Sequence, residues 1–143
     1  VNAGATVLNM SLGSSGDSSV LDAVVADAAS DGITMFAAAG NTPTGEPYYP
    51  AADSGVHAIT ALGQSAVGQP AELASYANTW DDPTMMALPG TGEFNYDGQS
   101  WVVQGTSTST AIGVGVFGAY LLNGWTPARI FTGMANKFPV PAQ

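Results

Sequence analysis

Continuous apolar runs of strand length recur along the chain. Such runs are typical of strands that are buried on both faces of a parallel sheet. Three of them are Ala5–Met10, Ile33–Ala39 and Val56–Leu62. A shorter run at Thr84–Ala87, stopped by Pro89-Gly90, predicts a fourth strand. The pattern therefore predicts a largely buried sheet.

Between the first two runs, the polar and apolar positions follow a helical period. After a loop at Ser14–Asp17, Ser18 or Ser19 can cap a helix, and Gly32 supplies its stop. The apolar residues of this helix at helical spacing are Val20, Leu21, Val24, Val25 and Ala28. A strand, a helix and a strand in this order predict two adjacent parallel strands joined by a right-handed crossover.

Two further helices are predicted towards the end of the chain. Residues Thr106–Leu122 are small or apolar almost all round, which predicts a helix buried on every side. Its glycines, spaced to allow close approach to other backbone, are Gly113, Gly115 and Gly118. Thr126 then forms an N-cap and Pro127 a first helical position, before a last helix through Ala128–Asn136.

Composition narrows the class of protein. The 143 residues are 45% hydrophobic, enough for the core of one domain, and only 9% are charged. The net charge is −9 and the only Lys and Arg are Arg129 and Lys137, so nucleic-acid binding is not expected. Apolar runs such as Ala111–Leu122 are too short or too rich in Gly and Ala to predict a membrane span. There is no cysteine, so cysteine chemistry is excluded.

Two short motifs lie where chemistry is expected. Asn41 follows the run Ile33–Ala39, and the functional crevice of a parallel sheet lies at the carboxyl ends of its strands. Ser107 lies where the long helix begins, so its hydroxyl and N–H face the positive end of the helix dipole. Each motif also has a simpler interpretation, a Gly-Asn turn for Asn41 and an N-cap at Thr106 or Ser107 for the second motif.

The order of several motifs along the chain resembles the subtilisin family of serine proteases. The motifs that carry the resemblance, in chain order, are Val7-Leu8-Asn9-Met10-Ser11-Leu12-Gly13, Ala37-Ala38-Ala39-Gly40-Asn41, Tyr49-Pro50-Ala51-Ala52, Ala74-Ser75-Tyr76-Ala77-Asn78, Leu88-Pro89-Gly90 and Gly105-Thr106-Ser107. The resemblance covers nearly the whole chain. It implies a three-layer α/β/α sandwich with a mainly parallel sheet, of which residues 1–143 are the C-terminal part of the peptidase domain.

The resemblance also implies roles for individual residues. Ser107 would attack the scissile carbonyl, and the Asn41 amide with the Ser107 N–H would stabilise the oxyanion. Ser11-Leu12-Gly13 would pair with an extended polypeptide substrate, and Ala38-Ala39-Gly40 would form one wall of the main specificity pocket. After Ser107 the sequence Thr108-Ser109-Thr110-Ala111 departs from the commonest family pattern, with Ala111 in place of a proline.

In the family's chain order the catalytic Asp and His precede the Ser-Leu-Gly segment, and neither is in this chain. His57 is the only histidine, and its place inside a strand run favours a structural role over that of a general base. We therefore expect a fragment or processed product that is inactive alone, with the N-terminal half of the domain as its partner. A non-catalytic structural or binding module and a stray fragment are the alternatives.

The acidic residues give no metal-binding pattern. Those considered are Asp17, Asp53, Asp81, Asp82, Glu93 and Asp97, whose spacing matches no ligand motif, so no metal site is predicted from them. The family resemblance alone allows calcium as a cofactor. The composition and the resemblance together favour a secreted, extracellular protein.

Overall fold

The computed structural model describes residues 4–142 and shows a parallel sheet between helices. Its nine elements, in chain order, are β1 (Val7–Met10), α1 (Ser19–Ser30), β2 (Thr34–Ala38), β3 (Val56–Leu62), β4 (Met86–Pro89), β5 (Thr91–Tyr96), β6 (Gln99–Gln104), α2 (Thr106–Leu122) and α3 (Pro127–Lys137). Strands β1 to β4 form one sheet in the order β1-β2-β3-β4, with every neighbouring pair parallel. The predicted α/β class and the parallel β1–β2 pair are confirmed.

The sheet is covered on both faces, which makes three layers. Helix α1 packs Val25 and Ala28 against Met35, Ala37 and other residues on one face. On the other face, Phe36, Ile59 and Leu88 of the sheet pack against the described parts of α2 and α3, through residues that include Phe117, Ile130 and Met134. The alternation of side chains along each strand explains why such continuous apolar runs are needed.

Three sequence-based expectations are wrong in detail. Helix α2 is not buried on every side, because Ala111, Gly115 and Ala119 are exposed and only Gly113 among the named glycines is buried, against Ile59 and Leu88. The predicted apolar face of α1 is too wide, because Val20 and Val24 are exposed.

The third error is the start of β4, which begins at Met86 instead of Thr84. The Asp82 side chain accepts hydrogen bonds from the Thr84 N–H (2.8 Å) and the Thr84 hydroxyl (2.7 Å), and the Met85 N–H donates to the Asp82 carbonyl. Because Thr84 is bonded to Asp82 in this turn, the strand pairing of β4 with β3 begins only after it.

Strands β5 and β6, which the sequence analysis did not predict, form a separate antiparallel hairpin. Asp97 and Gly98 make its turn, both with positive φ (50° and 72°). Phe94 pairs directly with Trp101, so these two rings lie on one face of the hairpin, where both are about half exposed (48% and 49%).

The two edges of the main sheet differ. The β4 edge is covered at Met86 by an isolated bridge to Pro139, and the Ala87 N–H donates to the Phe138 carbonyl. Strand β1 has β2 as its only strand neighbour within the described part of the chain. Its outer edge is therefore open to another strand.

Candidate active site

Asn41 follows the end of β2, where Gly40 turns the chain across the carboxyl edge of the sheet. Gly40 has φ of +101°, and a Cβ at this position would lie 3.1 Å from the ring of Tyr48. Both the backbone conformation and the close ring therefore require glycine. The Gly40 N–H donates to the Thr106 hydroxyl (3.2 Å), which joins this turn to the start of α2.

The Asn41 side chain is held in one orientation by Thr106. The Asn41 Oδ1 accepts from the Thr106 N–H (2.8 Å) and from the Thr106 hydroxyl (3.0 Å). With Oδ1 so engaged, the Nδ2 group is the remaining hydrogen-bond donor of this side chain. Gly105 contributes by lacking a side chain, because its Cβ would lie 3.2 Å from the Asn41 Nδ2.

Ser107 is the second residue of α2, next to the residue that holds Asn41. The first N–H groups of a helix have no intrahelical acceptor and can donate to a ligand. The start of α2 is fixed to the end of β4, since the Ser109 hydroxyl lies 3.1 Å from the Leu88 and Pro89 carbonyls. A half-buried serine and a side-chain amide therefore lie at one edge of the sheet.

Ser11 and Ser107 are joined by reciprocal hydrogen bonds. The Ser107 hydroxyl donates to the Ser11 carbonyl (3.1 Å), and the Ser11 hydroxyl donates to the Ser107 carbonyl (2.9 Å). The segment Ser11-Leu12-Gly13 follows β1 and is exposed, with Leu12 61% accessible. It lies beside Ser107 with surface available to a peptide.

Ala38, Ala39 and Gly40 are buried at the end of β2, and the ring of Tyr48 lies between them and the Ser11 segment. A Cβ at Gly13 would lie 2.8 Å from the same ring, so one tyrosine packs against both glycines. Sequence reasoning missed Tyr48, and it named Thr106 beside Ser107 without predicting the contact of Thr106 with Asn41. The sequence shows Gly13 and Gly40, but a local pattern does not show which distant side chains contact them.

His57 lies far from this site. It is paired with Phe36 in the β2–β3 register and stacks on Phe131 of α3, with ring centroids 3.7 Å apart. Phe131 also contacts Phe117, ten residues beyond Ser107 along α2, which corresponds to about 15 Å of helix. Burial lowers the pKa of His57, and the charge of Asp82 partly opposes this shift. His57 therefore packs within the layer of α2 and α3.

One acidic cluster forms that the sequence spacing did not suggest. Carboxylate oxygens of Asp17, Asp22 and Asp53 lie within 4.8 Å of one another. The Asp22 Oδ1 and the Asp53 Oδ2 are covered and have no hydrogen-bond donor in the described part of the chain. The pKa of Asp22 is raised mainly by desolvation and further by the nearby Asp17. The pKa of Asp53 is also raised mainly by desolvation, with smaller contributions from the charges of Asp22 and Asp17. Carboxylate oxygen is the donor type that calcium prefers, and calcium stays a prediction for this chain.

None of the helices in residues 4–142 combines the length and the apolar character needed to traverse a bilayer.

The fold is that of subtilisin-like proteases. A psychrophilic protease matches with a TM-score of 0.72 and 23% identity, over 91% of this chain and 48% of that chain. The self-cleaved protease domain of PatA matches with a TM-score of 0.71 and 26% identity, over 88% of this chain and 50% of that chain. The described sheet and helices are therefore consistent with part of such a domain.

The chain belongs to the subtilase family, whose sequence profile matches residues 1–130. It is 37% identical over 106 residues to the minor extracellular protease Epr of Bacillus subtilis, covering 73% of this chain and 16% of that protein. It is 36% identical over 118 residues to a thermostable alkaline protease of Halalkalibacterium halodurans, covering 81% and 31%. The chain thus spans less than a third of these relatives, and family membership relates it to the serine peptidases.

Proposed function

We propose that this chain supplies the nucleophile and the oxyanion donor of a serine endopeptidase, and that an upstream segment or chain supplies the catalytic Asp and His. The observation that carries the proposal is the Thr106 contact, which holds the Asn41 Oδ1 at the residue before Ser107 and leaves the Nδ2 as the donor of this side chain. An amide held in this way is prepared for a negative oxygen before that charge develops.

In the proposed reaction the Ser107 Oγ attacks the carbonyl carbon of the scissile peptide bond as a base removes its proton. The carbonyl oxygen becomes an oxyanion, which accepts from the Asn41 Nδ2 and the Ser107 N–H. The C–N bond then breaks, the amine leaves with the proton, and water hydrolyses the Ser107 ester by the same route. The Ser107 hydroxyl here donates to the Ser11 carbonyl, which is no base, so a histidine must come from outside this chain.

The substrate in this proposal is an extended polypeptide beside Ser11-Leu12-Gly13. The exposed segment follows a strand and begins at Ser11 beside Ser107, so a peptide that pairs with it presents a carbonyl to the hydroxyl. In this proposal Ala38, Ala39 and Gly40 form one wall of the main specificity pocket, and the Tyr48 ring packs against that wall at Gly40.

Two surfaces support a partner that completes the domain. The outer edge of β1 has no strand beside it in the described residues, and the hairpin presents exposed aromatic rings, which include Phe94 and Trp101. Open edges and exposed aromatic patches are typical of surfaces that another polypeptide covers. Secretion is part of this proposal, since one curated relative is named as extracellular.

A non-catalytic structural or binding module is the second candidate. The observation in its favour is the position of His57, the only histidine, which is stacked on Phe131 away from Ser107. The two candidates differ in whether Ser107 becomes reactive when the partner is present.

Labelling by a fluorophosphonate probe separates these candidates. The chain alone should label slowly, and the chain assembled with the segment that carries the catalytic Asp and His should label rapidly at Ser107. Ser107→Ala should abolish the label, whereas Ser65→Ala, at an exposed serine outside the site, should not change it. Rapid labelling of the chain alone would remove the need for an external base. An unreactive Ser107 in a verified assembly would favour the non-catalytic module.

A further inference from the structure

We infer that Asn78 is a positioning residue for the oxyanion donor Asn41, an inference that rests on the proposed function. Asn78 is completely buried and lies within the segment between β3 and β4. Its contacts are all to the segment that carries Asn41 and to the sheet beneath it.

The Asn78 side chain uses its whole hydrogen-bonding capacity on one segment. Its Nδ2 donates to the Ala39 carbonyl (3.0 Å) and to the Glu46 carbonyl (2.9 Å). Its Oδ1 accepts from the N–H groups of Thr44 (3.1 Å) and Gly45 (3.2 Å). These bonds hold the residues before and after Asn41, so one side chain closes the loop of residues 39–46.

The backbone of Asn78 anchors that loop to the sheet. The Asn78 N–H donates to the Gly40 carbonyl (3.1 Å), and the Asn78 carbonyl accepts from the buried hydroxyl of Thr60 in β3 (2.7 Å). Gly40 in turn donates to the Thr106 hydroxyl. A continuous path of hydrogen bonds therefore runs from the centre of the sheet through Asn78 and Gly40 to the contact that orients Asn41.

For the proposed chemistry, the consequence is that the Asn41 amide is held in a well-defined position. An oxyanion donor is effective when it lies about 2.7–3.1 Å from the developing charge, so a loop that moves Asn41 by a fraction of this distance weakens transition-state binding. Asn78 contacts no reacting atom, and its effect must pass through the position of Asn41. A residue that acts through another loses its effect when the other is removed.

The first test is amide hydrogen exchange in the chain itself, which needs no activity. The Thr106 N–H, which donates to the Asn41 Oδ1, and the Gly40 N–H report directly on the site. We expect Asn78→Ser to speed exchange of both by about tenfold or more, relative to amides of the β3–β4 ladder. Thr132→Val, which removes a hydroxyl bond to the Ala128 carbonyl on α3 outside this path, should leave this local difference small. Unchanged exchange at Thr106 and Gly40, or an equal change at all amides, would overturn the inference.

The second test is a double-mutant cycle in the assembled protease. Asn78→Ser should lower kcat by about tenfold or more in the native background and have little further effect in an Asn41→Ala background. An equal loss in both backgrounds would show that Asn78 acts by general stability. If the assembly is inactive, the proposed function fails, whereas the exchange experiment still decides whether Asn78 positions Asn41.

Discussion

At the scale of single residues, the sequence predicts where Asn41 and Ser107 lie but not what orients them. Asn41 follows an apolar run and Ser107 begins a long helix, and both features can be read locally. The partner that orients Asn41 is Thr106, which is 65 residues away in the chain. Such contacts depend on how the sheet and α2 pack, which a local pattern does not determine. The functional roles of both residues remain predictions.

Replacement of Asn41 separates its two hydrogen-bonding functions. Asn41→Asp keeps an acceptor for Thr106 but removes the donor, whereas Asn41→Ala removes both. In the assembled protease we expect both variants to lose about 10²–10³ in kcat, close to 3 kcal/mol, which is the magnitude known for the oxyanion amide of subtilisin itself. Slow exchange of the Thr106 amide should survive only in Asn41→Asp.

The control for this prediction is Asn123→Ala, because Asn123 bonds to the Ala119 carbonyl at the other end of α2. It should leave kcat unchanged. Peptide hydrolysis at saturating substrate gives the measurement, and a fully active Asn41→Ala would contradict the role of this amide.

His57 gives a prediction about acid stability. Because burial lowers its pKa in the folded state, the unfolded chain binds the proton more readily. The stabilisation is present above the unfolded pKa of about 6.5 and is lost as the pH falls below it. We expect the free energy of unfolding to decrease between pH 7.5 and pH 5, and His57→Phe, which keeps a ring against Phe131, to flatten this decrease. Urea titrations over this range test it, and an unchanged slope would show that other groups cause it.

At the scale of elements, prediction succeeded where burial and local pattern agree. The strands β2 and β3 and the long helix α2 follow from uninterrupted apolar runs, and Thr126 with Pro127 marks the start of α3. The start of β4 was predicted two residues too early because a side-chain turn at Asp82 outweighs the β propensity of Thr84 and Met85. The β propensity of a residue is a weak guide wherever a short polar side chain forms a hydrogen bond to the backbone nearby.

The hairpin of β5 and β6 was missed although its signal is present. Asp97-Gly98 is a strong sequence pattern for a tight hairpin turn, and the flanking residues pair from Thr91 with Gln104 to Tyr96 with Gln99. The strand residues are mostly exposed, so they lack the continuous apolar character used to find the other strands. Turn chemistry, rather than hydrophobicity, was the informative feature here.

The acidic cluster of Asp17, Asp22 and Asp53 predicts a pH dependence of opposite sign to that of His57. The raised pKa values of Asp22 and Asp53 mean that these two carboxyl groups hold protons more tightly in the folded state, so stability falls as the pH rises from about 3.8 through these values. At pH 7 the repulsion among the carboxylates of this cluster is fully present. In buffer with a chelator, Asp53→Asn should raise the thermal midpoint at pH 7 modestly, less in high salt, and not at pH 3.5.

A matched control for this prediction is Asp27→Asn, which removes one charge from the exposed face of α1 outside the cluster. It should change the midpoint less than Asp53→Asn at pH 7. Equal changes would attribute the effect to net charge, which is −9 for the chain, and not to the cluster.

At the scale of the whole molecule, the described part of the chain leaves two surfaces uncovered. The β4 edge of the sheet is bridged by the C-terminal segment at Pro139, but the β1 edge has no strand beside it in the described residues. The hairpin adds an aromatic face next to the start of α2, since a Cβ at Gly92 would lie 2.9 Å from the Thr108 methyl group. This contact places the hairpin against the residue that follows Ser107 in the chain.

The aromatic face of the hairpin is therefore expected to contribute to association with the upstream segment. Buried aromatic side chains at an interface commonly contribute more than about 1 kcal/mol each, so Trp101→Ser should weaken binding of that segment about fivefold or more in calorimetric titration. Leu122→Ser, which removes a 92% exposed apolar side chain from the end of α2, is the control and should leave affinity unchanged. Because both side chains are exposed, neither variant should change the thermal midpoint of the chain alone by much. Equal affinities for all three proteins would exclude the hairpin from the interface and leave the β1 edge as the surface that the partner must cover.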